Sequence, residues 1–404
     1  MSNKTKALQE NVVKKISKQL PSDKGYSDIS TTNEIALKKD EILKLIKKVK
    51  TESQYRSLND SDRKIFNIVE RSYEKAIQGR PLEIEDFILP KHEILELTIT
   101  PNNQLARYIA YRYKYNQYNH LKIVEEYPPC VQIEPASICN FRCIMCYQVD
   151  KSFHYKSKGY MGYMSLDTFK KAIDELEGNV EAITLASRGE PLLNPQISEM
   201  LRYMQGKFIA SKINTNASML TEKLIHEILS AELQTIVFSV DASDKETYEK
   251  IRVFGNFDKV KSNIELFHKI KSKDYPNSKI ITRISGVKLN DSQNLSDMMN
   301  MWKDLVDQVA FVNYAPWESA YDNNLNEIKS PCSELWSRMF VWWDGRMNPC
   351  DYDYKSVLTN HIETKFPEQS IANFWGSGFF NSLREKHLTS KRCDIEPCAR
   401  CKSM

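Results

Sequence analysis

The chain has 404 residues, 41% hydrophobic and 27% charged, with 57 basic against 53 acidic side chains and a formal net charge of +4. That length allows two or three domains with a sizeable core, and a charge so near balance gives no ground for nucleic acid or an anionic membrane surface as a partner. No apolar run approaches the ~18–20 residues needed to cross a bilayer, and the polar start Met1-Ser2-Asn3-Lys4 leads into no apolar signal core, so the cytoplasm is the expected compartment.

Residues 1–125 read as a helical accessory region whose first ~30 residues are expected to be mobile. Glu41 to Val49 has helical periodicity. A second helix fits Ser61 to Gln78, with Ile65, Ile68, Val69, Tyr73 and Ala76 on one side and Gly79-Arg80-Pro81 to end it. A third fits Gln104 to Tyr115. The region carries no metal or phosphate motif; its functional reading is a docking module for a substrate or partner.

From Cys130 the pattern changes. Strands are expected near 130–136, 181–187, 210–215, 234–240, 279–287 and 308–314. Helices are expected near 165–177, 195–206, 220–231, 257–272 and 292–306, and Ser243 with Glu246 reads as a capping box for a short helix at 244–251. Alternation of this kind means parallel strands joined by right-handed crossovers. Six units in this span give an α/β fold, a partial (β/α)6 TIM-like barrel over residues 126–316, with chemistry gathered at the C-terminal strand ends.

The loop after the first strand is Cys139-Asn140-Phe141-Arg142-Cys143-Ile144-Met145-Cys146. Three thiolates on one loop can hold three irons of a cubane cluster and leave the fourth open to a small molecule. A zinc site completed by His154 is the competing reading. The nine cysteines fall in two clusters, which argues for metal binding over a disulfide framework. Cys130, before the first strand, reads as a buried apolar thiol.

Residues 317–404 form a third region. Asp344-Gly345 is a two-residue hairpin turn between Phe340-Val341-Trp342-Trp343 and Arg346-Met347-Asn348-Pro349-Cys350, and a helix fits 377–388. The tail runs Cys393-Asp394-Ile395-Glu396-Pro397-Cys398-Ala399-Arg400-Cys401. Taken alone, these cysteines would also suit a zinc ribbon. Trp336, Trp342 and Trp343 are expected to pack this module.

On these motifs, residues 128–401 resemble the radical S-adenosylmethionine (SAM) superfamily. The resemblance implies that Cys139, Cys143 and Cys146 hold a [4Fe-4S] cluster whose open iron binds SAM. Reductive cleavage of SAM then yields a 5′-deoxyadenosyl radical that abstracts a substrate hydrogen. Ser187-Arg188-Gly189-Glu190-Pro191 stands where the family has Gly-Gly-Glu-Pro, with Arg188 for the first Gly; Gly189 and Glu190 would hold the SAM ammonium. Glu190 as an ordinary helix cap is the alternative. Asn214-Thr215-Asn216-Ala217 resembles the family's Thr-Asn-Gly turn. Ser239-Val240-Asp241 resembles its Ser-hydrophobic-Asp segment, and Ser239 and Arg252 would contact the SAM carboxylate and ribose.

The C-terminal region resembles the SPASM/twitch modules, with Cys332, Cys350, Cys398 and Cys401 holding an auxiliary [4Fe-4S] cluster and Cys393 left over. A fully ligated second cluster suits a net oxidation, such as dehydrogenation of a sugar-like molecule, with Asp351 or Asp353 as base. A ribosomal-peptide maturase using residues 1–125 for the leader, a redox-neutral epimerase using Cys393, and a non-catalytic redox sensor are the alternatives. The implied partners are a small-molecule or peptide substrate and a reductase or flavodoxin-type electron donor, with neither nucleic acid nor membrane.

Overall fold

The computed structural model describes residues 28–31, 37–289 and 293–402. Among these the strands are β1 (Asp28–Thr31), β2 (Cys130–Ile133), β3 (Arg142–Cys143), β4 (Ala182–Leu185), β5 (Ala210–Thr215), β6 (Thr235–Ser239), β7 (Arg252–Val253), β8 (Ile281–Lys288), β9 (Gln308–Asn313), β10 (Arg338–Val341) and β11 (Met347–Asn348). The main sheet has the order β1-β9-β8-β6-β5-β4-β2-β10-β11. From β2 to β9 it is parallel, and strands follow one another in chain order without reversal. Right-handed crossovers without reversal put every connecting helix on one face, so the sheet curls to cover the other: a partial barrel.

The outward positions are apolar. Val131, Ile133, Ile183, Leu185, Ile213, Ile236, Phe238, Ile284, Val309 and Phe311 join one core with the surrounding helices. Leu166–Leu176 shows why such helices form. Ser165 caps it by accepting from the Thr168 amide, and Phe169, Ala172, Ile173 and Leu176 bury one stripe at helical spacing. Burying a Phe or Ile side chain stabilises the fold by about 1.5–3 kcal/mol. By the two-residue period of a strand, the alternate positions Gln132, Thr184, Lys212, Arg283, Gln308 and Arg338 face inward. The lining of the lumen is therefore polar.

Helices Lys39–Lys50, Asp60–Ile77, Lys91–Ile99 and Leu105–Leu121 build a separate apolar core, which closes on Cys130, Ala182, Ile209 and Ala210. Cys130, Ala182 and Ala210 begin β2, β4 and β5, so the helical layer covers the N-terminal end of the barrel, its floor. Arg107 fixes it through two bonds to Glu181 of 2.8 and 2.6 Å. Lys91–Ile99 is absent from the sequence reading, and the third helix runs on to Leu121. The expected mobile segment lies mostly outside the described residues; Asp28–Thr31 pairs antiparallel with β9. The short helix Lys245–Ile251 is capped one residue later than expected, by Asp244 accepting from the Thr247 amide at 2.9 Å, because an Asp carboxylate stands at that position.

The C-terminal module is joined to the sheet itself. β10 pairs parallel with β2, Arg338 opposite Cys130, and β11 folds back through the Asp344-Gly345 turn. Glu134, one residue past β2, accepts from Arg188 at Nε (2.8 Å), Nη2 (2.6 Å) and the backbone N–H (3.1 Å), and from the Trp343 amide (3.1 Å). The Arg188 Nη1 donates to the Tyr354 carbonyl at 3.0 Å, and its guanidinium lies 4.3 Å from the Trp342 ring centroid. The two side chains are 1% and 0% exposed. Removing one member of such a pair strands a buried charge and costs about 3–5 kcal/mol. Arg188→Met is expected to lower the unfolding free energy from denaturant titration by that amount, and Glu134→Leu/Arg188→Met to recover part of it; equal stability of Arg188→Met and wild type would refute the assignment.

Candidate functional site

Cys139, Cys143 and Cys146 sit on the loop that leaves β2 at the C-terminal end of the barrel, opposite the helical floor. β3, within this loop, pairs antiparallel with β7, so Cys143 lies opposite Arg252, and the Ile144 amide donates to the Ile251 carbonyl at 3.0 Å. Arg142 Nη1 donates to the Cys139 and Phe141 carbonyls at 2.8 and 2.7 Å. His154 spends both ring nitrogens, one against Arg142 Nη2 (3.3 Å) and one against the Gln148 carbonyl (2.8 Å), so it is held as a brace of the loop and not as a fourth ligand.

The three thiols lie within electrostatic reach of one another. Burial, then Glu190, pushes Cys139 up to about 12; burial pushes Cys143 up; burial, then Cys143, pushes Cys146 up. Buried thiols pushed up in this way make poor free nucleophiles, and metal binding releases their protons, so the donor set fits a metal cluster. Cluster donors each take a different iron and stand wider apart than donors to one ion. Among the described residues no three His, Cys, Asp or Glu side chains stand close enough to share one ion.

The residues expected around SAM come together at neighbouring strand ends. Gly189 leaves no room for a side chain: a Cβ there would stand 2.5 Å from the carbonyl oxygens of Ala136 and Ile138. The preceding position tolerates Arg188 because its side chain runs into the Glu134 pair. Glu190 accepts from Thr215 Oγ1 (2.7 Å), the Asn216 amide (2.7 Å) and the Leu192 amide (3.1 Å). It caps the turn Pro191–Leu193 and also ties β4 to β5. A carboxylate has about four acceptor positions, so one stays open. Burial pushes Glu190 up to about 7. Asn216 and Ser218 grip Asn140 of the cysteine loop at 2.9 Å each.

Ser239 ends β6 and is half-buried. The Arg252 guanidinium is engaged within the protein: Nε pairs with Asp241 Oδ2 at 2.5 Å, and Nη1 donates to Cys143 Sγ at 3.8 Å. Asp241 is fixed in turn by the Val287 amide at 2.7 Å. Asp241 was read only as part of a motif; its service to Arg252 follows from the β6–β7 approach, which no local pattern signals.

Cys332, Cys350, Cys398 and Cys401 form the second group. Burial is the main cause that pushes Cys350 up, followed by Cys398, Asp353, Cys332 and Cys401; burial, then Glu334 and Cys401, pushes Cys332 up to about 11. Cys393 stands apart, its thiol donating to the Asn326 and Ile328 carbonyls at 3.2 and 3.5 Å. Asp353 is engaged inside the C-terminal module. Its carboxylate accepts from Tyr321 Oη and the Val357 and Leu358 amides, all within 2.9 Å, and it is fully buried. Asp351 is only half-buried, with Glu334 and Arg338 the charged groups acting on it.

An aromatic cluster joins the two groups. Tyr147 stacks on Tyr354 (4.7 Å) and Trp317 (6.1 Å), and these pack with Phe153 and Tyr352 against Cys146 on one side and Cys350 and Cys401 on the other. Of the three tryptophans expected to pack the C-terminal module, Trp336 and Trp342 are fully buried, with Lys122 and Arg188 over their rings, and Trp343 is half-buried and donates to the Tyr160 carbonyl at 3.0 Å, so all three also contact the rest of the chain.

A family model for the Radical SAM superfamily matches residues 133–299, and one for an iron–sulfur cluster-binding domain, SPASM, matches residues 332–402. The AdoMet-dependent heme synthase of Methanosarcina barkeri is 27% identical over 37% of this chain and 41% of its own length. The tungsten-containing aldehyde ferredoxin oxidoreductase cofactor-modifying protein of Pyrococcus furiosus is 30% identical over 27% of this chain and 30% of its own. The chain thus spans well under half the length of these relatives. The structure of Streptococcus suis SuiB bound to precursor peptide SuiA matches with a TM-score of 0.50 at 13% identity, over 85% of this chain and 87% of that one, a likeness of fold.

Two outcomes check this geometry. Gly189→Ala is expected to lose about 1–3 kcal/mol by overpacking, read as a fall in melting temperature. After anaerobic reconstitution, Cys398→Ala is expected to fall from roughly eight irons per chain toward four, while Cys393→Ala keeps the wild-type content; the reverse pattern would move the ligand set to Cys393.

Proposed function

Because the chain belongs to the radical SAM superfamily and ends in a cluster-binding module, we propose that it is an enzyme that cleaves SAM reductively and oxidises a small substrate. The observation that carries the reading is the pair of cysteine groups. Cys139, Cys143 and Cys146 supply three donors beside Glu190 and Arg252, whereas Cys332, Cys350, Cys398 and Cys401 supply four. A four-iron cluster held by the first group, together with SAM, would supply the radical chemistry.

The chain's own residues position and shield. Gly189, Glu190, Ser239 and Arg252 would seat SAM. The Glu190 carboxylate is oriented by three donors before any ligand arrives, and it offers its remaining acceptor position to an ammonium. Arg252 is held rigid by Asp241 and places positive charge on Cys143, where it stabilises a thiolate. Tyr147, Tyr354 and Trp317 keep water from the space between the two groups. With all four positions filled from protein, the second cluster is suited to accept an electron, which supports a net two-electron oxidation such as dehydrogenation of a sugar-like alcohol.

The helical layer supports a small molecule over a long peptide. It packs across the barrel floor, away from the cysteine loop, so it does not line the space beside the chemistry, as a dedicated peptide-binding wall would. All nine cysteines are free, which fits a reducing cytoplasm and a flavodoxin-type donor. Among the described residues no helix is long and apolar enough to cross a membrane.

The reconstituted protein, reduced with dithionite and given SAM, is expected to form 5′-deoxyadenosine, and Cys143→Ala to form none above background; absence of the product from wild type would overturn the reading. Arg252→Met removes a hydrogen bond to a ligand sulfur. It is expected to lower the midpoint potential of the first cluster, measured by potentiometric electron paramagnetic resonance.

A further inference from the structure

Lys212 lies in the middle of β5, opposite Thr184 on β4 and Thr235 on β6. Its neighbours Ser211 and Ile213 are buried, but Lys212 itself is half-buried, so its side chain opens on the lumen. It enters no ion pair or hydrogen bond among the described residues. The other cations of the lumen are each paired with a carboxylate: Arg338 with Glu334 at 2.8 Å, Arg283 with Glu96 at 3.7 Å, and Arg112 with Glu93 at 3.4 Å and with Glu96. The groups acting most strongly on Lys212 are Arg283, Arg338, Arg112 and the Cys130 thiol, with no carboxylate among them; burial first, then these guanidiniums, bring its amine down to about 7. Next to Arg283, on the neighbouring strand β9, Gln308 is fully buried. Its Oε1 accepts from Arg283 Nε at 2.6 Å, and its Nε2 has no partner.

An inward amine without a carboxylate partner, within electrostatic reach of Arg283 and Arg338, together with the open amide donor of Gln308 on the same lining, suits an oxyanion of a ligand. We propose that Lys212, on the lining that also carries Arg283 and Arg338, anchors an oxyanion of the substrate, a carboxylate or a phosphate, on the inner wall of the barrel. The assignment rests on the barrel being the chamber in which the SAM-derived radical meets its substrate. Four residues of strand separate Lys212 from Asn216, about 13 Å, and the Asn216 amide touches Glu190. An anion seated at Lys212 therefore leaves the body of a small molecule extending up the lumen toward the strand ends, where the cysteine loop lies. The substrate class that fits is a sugar-like acid or a phosphate ester.

The test uses the reconstituted full chain with sodium phosphate and sodium glutarate as probes, at constant ionic strength held with sodium chloride. Either probe is expected to raise the melting temperature in a saturable way. Lys212→Met is expected to weaken the apparent affinity at least about tenfold, while Lys223→Met, on the exposed face of Glu222–Ser230, behaves as wild type. Protection by phosphate alone marks a phosphate ester, and protection by glutarate alone a carboxylic acid. Should Lys212→Met fail to fold, reductive methylation of wild type followed by mass spectrometry reads the same contact: the probe slows modification of Lys212 several-fold relative to Lys223. Indifference of wild type to both probes, equal protection of Lys212→Met, or equal methylation rates would overturn the anchor. If 5′-deoxyadenosine still forms in the same preparation, the enzyme reading survives that failure.

Discussion

The buried pair between Glu134 and Arg188 holds the structure's separate parts in one frame. Glu134 stands at the end of the first barrel strand. Arg188 follows the second. Through the Trp343 amide and the Tyr354 carbonyl the pair reaches the C-terminal module. Gln148, just past the cysteine loop, donates to the Arg188 and Ser137 carbonyls. Two charges taken out of water are costly unless every lone pair and N–H is met, and here nearly all are. The arrangement ties the segment after the cysteine loop and the C-terminal module to the ends of the first two barrel strands.

Within that frame, the site is built from groups whose usual preferences are overruled by burial. Burial pushes the thiols up, and pushes the Glu190 carboxyl up to about 7 although three donors point at it. A guanidinium is spent on a carboxylate and a sulfur. Each is costly for folding and useful for binding, because a group starved of water gains most from the ligand that completes it.

Much of this was legible in the residues. The six parallel strands are short runs rich in Ile, Val and Leu, and the helices between them carry clear apolar stripes, so both could be read locally. The spacing of the two cysteine groups, and Gly189-Glu190, marked the site. What escaped depends on the third dimension. Lys91–Ile99 is short and has nearly equal faces, so its periodicity is faint. Glu134 and Arg188 are 54 positions apart, and each alone looks like an ordinary strand-end charge. Lys212 interrupts an apolar run in a way that could have been noticed, yet whether it faces water, helix or lumen is decided by the winding of the sheet. The separation of Cys393 from the other four is likewise set by how the 326–328 loop folds back on it.

The parallel pairing of β10 with β2 bears on how the protein is made. The first barrel strand receives one of its two neighbours only after the whole barrel has been made, so during synthesis one row of its amides and carbonyls waits unpaired. Such a bare edge is a template for joining another chain. A fragment ending after the barrel would keep that edge permanently. The iron–sulfur module at the C-terminus is thus also the barrel's edge guard, and an isolated barrel would be prone to aggregate even with its three-cysteine loop intact.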